Sequence, residues 1–106
     1  ARLEDELTKW WLDRAHVEAT AVVPKAVEYG SNSLMALGRA VARLQGRETV
    51  TDTEAIELGC WVNTLQKVER WTDAILRQDR ASDDTIYDAG VYLRMAQRNR
   101  ETGMWP

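Results

Sequence analysis

Thr51-Asp52-Thr53-Glu54-Ala55-Ile56-Glu57-Leu58 opens the stretch, running to about Gln78, whose reading decides the fold. Thr51 and Glu54 have the S/T-x-x-E spacing of a capping box, in which each side chain serves the other's free backbone N–H. No proline follows before Gln78, and the one glycine, Gly59, costs only about 1 kcal/mol in a helix, so a long helix is predicted. With Leu65 as reference, Leu58, Trp61, Val62, Val68, Thr72 and Leu76 fall within roughly 60° of it at about 100° per residue. That stripe is expected to face the core. Asp79-Arg80-Ala81-Ser82 then reads as a tight connection, with Ser82 or Asp83 as the next cap and Asp83 and Asp84 near the positive end of a helix dipole. A last helix reaches about Arg100, with Ile86, Ala89, Val91, Tyr92, Leu93, Met95 and Ala96 along a broad apolar arc. The two helices should form an antiparallel hairpin.

Upstream, Leu3, Leu7, Trp10, Val17 and Ala21 share one face of a first helix from about Leu3 to Val23, which Pro24 ends or kinks. Lys25 to Tyr29 adds a turn, and Gly30-Ser31-Asn32-Ser33 leads into a short second helix striped by Leu34, Leu37, Val41 and Leu44 and closed by Gly46. Two-residue alternation is absent. The expectation is an all-α bundle of four main helices in a single domain, 1–106, as 106 residues allow. No apolar run approaches the ~18–20 residues of a membrane span, and Ala1-Arg2-Leu3-Glu4-Asp5-Glu6 is no signal segment, so a cytoplasmic location without membrane contact is expected.

Cys60 and His16 are each the only residue of their type, which removes disulfides, structural zinc and Cys–His dyads. A net charge of −3 argues against a nucleic-acid polymer as partner. Gly30–Ser33 lacks the spacing and lysine of a phosphate-cradling P-loop.

Charges inside apolar arcs are expensive and therefore informative. Glu69 falls inside the Leu65 arc with Asp73 one turn on, and Asp84 and Asp88 fall beside Tyr92 and Met95. Glu69 at a solvated rim, or paired with Lys67 or Arg70 of a neighbouring chain, is the plainer reading, and Asp84 suits any first helical turn. Across the predicted hairpin, Asp84 and Asp88 lie opposite roughly Ala74–Ile75 and Arg70–Trp71, within a turn of Glu69 and Asp73. Four such carboxylates cannot all stay charged without a cation. Oxygen ligands alone select Mg²⁺ or Mn²⁺, which in turn hold phosphate oxygens. Lys67 and Arg70 fall on the far side of the helix from Leu65, towards solvent or a second subunit. On the first helix Arg14 and Glu18 have the spacing of an intrahelical ion pair.

Lys25-x-x-x-Tyr29-Gly30, Lys67-x-x-Arg70 and Asp84-x-x-x-Asp88-x-x-x-Tyr92 together resemble the phage-encoded branch of the MazG-like all-α nucleotide pyrophosphohydrolases, over about residues 24–98. The resemblance implies a helical dimer or tetramer that uses Mg²⁺ on acidic residues of two helices to cleave a nucleoside triphosphate into monophosphate and pyrophosphate. It matches Asp88 to the Asp of the family's ExxD metal motif and Tyr92 to the aromatic residue that follows. The Glu of that motif is Thr85 here, with Asp84 one residue earlier. The family's ExxE occurs literally only at Glu54-x-x-Glu57, far up the third helix from the hairpin connection, so Glu69 and Asp73 are the favoured partners and Glu54 and Glu57 the reserve.

The expected function is Mg²⁺-dependent hydrolysis of (deoxy)nucleoside triphosphates by a homodimer or homotetramer. Glu69, Asp73, Asp84 and Asp88 hold metal, Glu69 activates water, and Lys25, Tyr29, Lys67, Arg70 and Tyr92 bind substrate. The alternative is a non-catalytic helical binding or assembly module, with or without a bound nucleotide.

Overall fold

The capping box forms as its spacing requires: Thr51 Oγ1 accepts from Glu54 N–H at 3.1 Å, and Glu54 reaches back to Thr51 N–H. The computed structural model describes residues 1–106 as four helices without strands: α1, Arg2–Tyr29; α2, Asn32–Leu44; α3, Asp52–Leu76; and α4, Asp83–Thr102. No helix is long and apolar enough to cross a membrane.

Ser82 caps α4 by accepting from Thr85 N–H, and Gly103, left-handed at φ 84°, closes it. The α3–α4 hairpin is antiparallel. Thr53 Oγ1 donates to Gly103 O, Asn99 Nδ2 donates to Thr53 O, Arg100 pairs with Glu57, and Lys67 pairs with Asp88 further down. The register differs from expectation by about one turn, because α3 stops at Leu76 and Gln78 turns left-handed at φ 57°. Asp88 therefore meets Lys67 instead of the Arg70–Trp71 turn.

The inward face of α3 is the reverse of the expected one. Ala55, Ile56, Gly59, Cys60 and Ala74 are buried, whereas Leu65, Trp61 and Val68 stay 44–53% exposed. On α2 the buried line is Leu34, Gly38 and Ala42, with Leu37 and Leu44 exposed. The cause is backbone proximity. A Cβ on Gly38 would lie 1.8 Å from the Ala55 carbonyl oxygen, and one on Gly59 would lie 2.1 Å from that of Leu34. Helices that touch at this range admit only small side chains between them, so the large ones are displaced to other faces. Leu34, Ile56 and Cys60 form the core centre, covered by Met35, Tyr92, Met95, Ala96 and Trp105.

α1 is different: none of its residues is buried. It runs unbroken through Pro24, since the carbonyl that the proline leaves unpaired belongs to exposed Thr20, where water can serve it. Glu18 is held by Arg94 of α4 and not by Arg14, whose guanidinium sits 6.0 Å from the centre of the Tyr87 ring.

Candidate functional site

The second half of α1, the start of α2 and the middle of α4 enclose an open cleft of about 430 Å³, floored by Leu34, Val91 and Met95. Pro24 permits the continuous helix that carries Lys25 and Tyr29 to this cleft, and the i, i+4 spacing of α4 puts Asp88 and Tyr92 on its opposite wall. Residues separated by some sixty positions in sequence thus line one surface. Lys67 adjoins them, its Nζ 3.2 Å from Asp88 Oδ2 and its side chain only 17% exposed.

The other expected residues stand elsewhere. Glu69, Asp73 and Arg70 are exposed on α3, and Asp84 is exposed in the first turn of α4. Glu54 is committed to the capping box and to Arg47 at 2.6 Å, and Glu57 to Arg100. Within the chain no three His, Cys, Asp or Glu side chains come close enough to hold a metal ion. The expected quartet is therefore not assembled in one chain, for the same reason that the α3 face is reversed: Glu69 shares the outward side with Leu65, while Asp88 belongs to the inward side of α4. Asp88 is the one expected metal ligand that lines the cleft, and a single carboxylate does not define a metal centre.

Electrostatics of the wall follow from burial. Tyr92 is pushed above the usual tyrosine range, first by burial and then by the negative charge of Asp88. Cys60 is raised to about 11, mainly by burial and secondarily by Glu57, so its thiol stays protonated at neutral pH and is no nucleophile. Glu57 is held below the usual carboxylate range by its hydrogen bond with Arg100, against a smaller opposing effect of burial.

Asn63 and Tyr87 are among the residues of the cleft that lie outside the sequence expectations. Asn63 of α3 lines it while donating from Nδ2 to Gly59 O at 2.9 Å. Tyr87 lines it with a buried hydroxyl that has no hydrogen-bond partner. Asn63 stands four residues before Lys67 on the side opposite Leu65, a polar pair that the reversed face makes meaningful. The cleft thus offers one ammonium group, three tyrosines and one carboxylate over an apolar floor, an arrangement suited to a planar ring joined to an anionic tail.

Comparison with family models, with curated proteins and with solved structures finds no match for this chain.

Proposed function

We propose that the cleft between α1, α2 and α4 binds a (deoxy)nucleoside triphosphate, and that the chain, as a homodimer or homotetramer, hydrolyses it to monophosphate and pyrophosphate with Mg²⁺ or Mn²⁺. The observation that carries this reading is the gathering of Lys25, Tyr29, Asp88 and Tyr92, taken from two ends of the sequence, on one cleft. Lys25 supplies the charge for phosphate oxygens, and Tyr29 and Tyr92 supply flat apolar surface for the base. The role of metal comes from the resemblance. Mg²⁺ commonly uses one or two carboxylates together with water and substrate phosphates, and Asp88 is the carboxylate placed for it once Lys67 releases it.

The test is incubation of the pure protein with common NTPs and dNTPs plus Mg²⁺, with monophosphate as readout, for wild type, Asp88→Ala, Glu69→Gln and Glu54→Gln. Wild-type turnover that falls by orders of magnitude in Asp88→Ala supports the proposal, because a metal ligand stabilises charge developing in the transition state. Glu69→Gln asks whether the exposed Glu69 acts at all. Loss in Glu54→Gln alone would move the site to the literal ExxE motif. Nucleotide binding without product defines a non-catalytic binder. The exposed apolar faces favour a second reading, an assembly module, which would self-associate while neither binding nor cleaving nucleotide.

A further inference from the structure

A compact monomer of 12.1 kDa exposes about 6,000 Å² of surface, whereas this chain exposes 8040 Å². Its radius of gyration is 16.2 Å, against about 13 Å for a compact chain of this length. The excess, about 2,000 Å² per chain, lies within the range of about 1,000–2,500 Å² that each subunit of an obligate homodimer buries. Part of it belongs to α1. Outside α1, the exposed large apolar residues are most numerous on α3, where Trp61, Leu65, Val68 and Ile75 are 44–61% exposed; with half-buried Leu58 and with Thr72 they recur at alternating steps of three and four, the spacing of a helix–helix seam.

Beside that ridge runs a groove of about 590 Å³ lined by Val41, Leu58, Trp61 and Leu93, with Arg100 at its edge. A two-fold interface needs one patch that complements itself, and a ridge next to a groove does so: each ridge fills the other copy's groove.

We propose that the outward face of α3, centred on Leu65, is the contact between two copies of this chain, crossing antiparallel about a two-fold axis near Leu65. The inference rests on the self-association of the proposed function and not on hydrolysis, and the cleft stays open on the far side of α3.

Light scattering and sedimentation at micromolar concentration, without nucleotide, test it. Wild type should have twice the mass of the 12.1 kDa chain, and Leu65→Glu should weaken association by at least about 100-fold with helicity retained. Leu7→Glu, on α1, should leave the dimer intact. Leu65→Cys should give a disulfide-linked dimer under mild oxidation, since residues on a two-fold axis meet themselves and the native Cys60 is buried. A monomeric wild type, a Leu65→Glu dimer, or a dimer broken by Leu7→Glu overturns the proposal. Should Leu65→Glu unfold, failure of the Leu65→Cys cross-link overturns it equally. Each outcome is read without substrate, so it leaves the hydrolysis proposal standing or falling on its own assay.

Discussion

The contact between α2 and α3 and the attachment of α1 stand at opposite extremes. In the first, backbones touch and the buried residues are Leu34, Gly38, Ala42, Ala55 and Gly59; in the second, 28 residues of helix bury nothing. The contrast separates two ways of being a helix. α2 and α3 are held by close contact that no larger side chain could join. α1, about 42 Å long at 1.5 Å per residue, is held by one ion pair, a cation–π contact and the rims of open clefts. α1 is therefore the less firmly held wall of the cleft. A ligand bridging Lys25 to Asp88 would therefore stabilise α1 more than the body, since it supplies contacts that the free chain lacks.

The largest expected break in that comparison comes from Gly38→Ala and Gly59→Ala. At exposed helical positions this change stabilises by up to about 1 kcal/mol. Here the new methyl would overlap a carbonyl oxygen of fixed backbone, so the helices must separate, at a net cost of about 2–3 kcal/mol or more. A fall in Tm of at least about 10 °C is expected for either. Gly90→Ala is the reference, because its new methyl meets only the far end of the flexible Arg94 side chain. Should Gly38→Ala melt like Gly90→Ala, the close approach of α2 and α3 is wrong.

Local rules are legible in the sequence, and the global face is not. The Thr51–Glu54 box, the Ser82 cap and the hairpin each follow from a few adjacent residues, and each is present. The inward side of α3 escapes a reading by periodicity because periodicity follows large apolar residues, and Leu58, Trp61, Leu65 and Val68 mark a continuous stripe. The stripe is real but faces outward. The buried line of Ala55, Gly59 and Cys60 is made of residues whose small size is their function, and small residues carry little hydrophobic signal. Lys67, expected on the far side, consequently points inward to Asp88. The cleft is not legible from helical phase, which does not show that α1 continues through Pro24 and carries Lys25 and Tyr29 towards Asp88 and Tyr92.

A smaller break is expected at Asn99, which has no exposed surface. Its Nδ2 donates to Thr53 O across the hairpin at 2.9 Å, while its Oδ1 has no partner. Asn99→Ala loses this bond across the hairpin, a cost of about 0.5–1.5 kcal/mol. Asn99→Asp should be worse at neutral pH, because it buries a charge against that same carbonyl. Chemical denaturation measures both; equal stability of the two variants would mean that water reaches the site.

Smaller still in global terms is Glu18→Gln, which removes the one ion pair between α1 and the body. Arg94 is half exposed, so the cost in Tm corresponds to less than about 1 kcal/mol. Its signature is local: amide exchange along α1 should quicken while α2 and α3 stay protected. Uniform exchange across all four helices would show that α1 unfolds only with the body.

The smallest effect distinguishes the second Arg–Glu pair, Glu57 with Arg100, from the first. Both ends of this pair lie on helices already joined by the Thr53, Asn99 and Lys67 contacts, so it adds little at pH 7, and Glu57→Gln should change Tm there by no more than a few degrees. Its contribution depends on pH in a fixed sense. The hydrogen bond from Arg100 holds the folded Glu57 below its ordinary value, about 4.3 in an unfolded chain. The folded state therefore binds fewer protons at this site than the unfolded state. The stability it supplies is complete above about pH 4.3 and is lost as the pH falls through the lower folded value. Wild type should lose this increment on acidification, and Glu57→Gln should show a correspondingly shallower decline, with the two Tm curves converging at the acid end. Parallel curves from pH 7 down to pH 3 would mean that Glu57 is not held by Arg100 in solution. The pair would then be as loosely made as the link between α1 and the body.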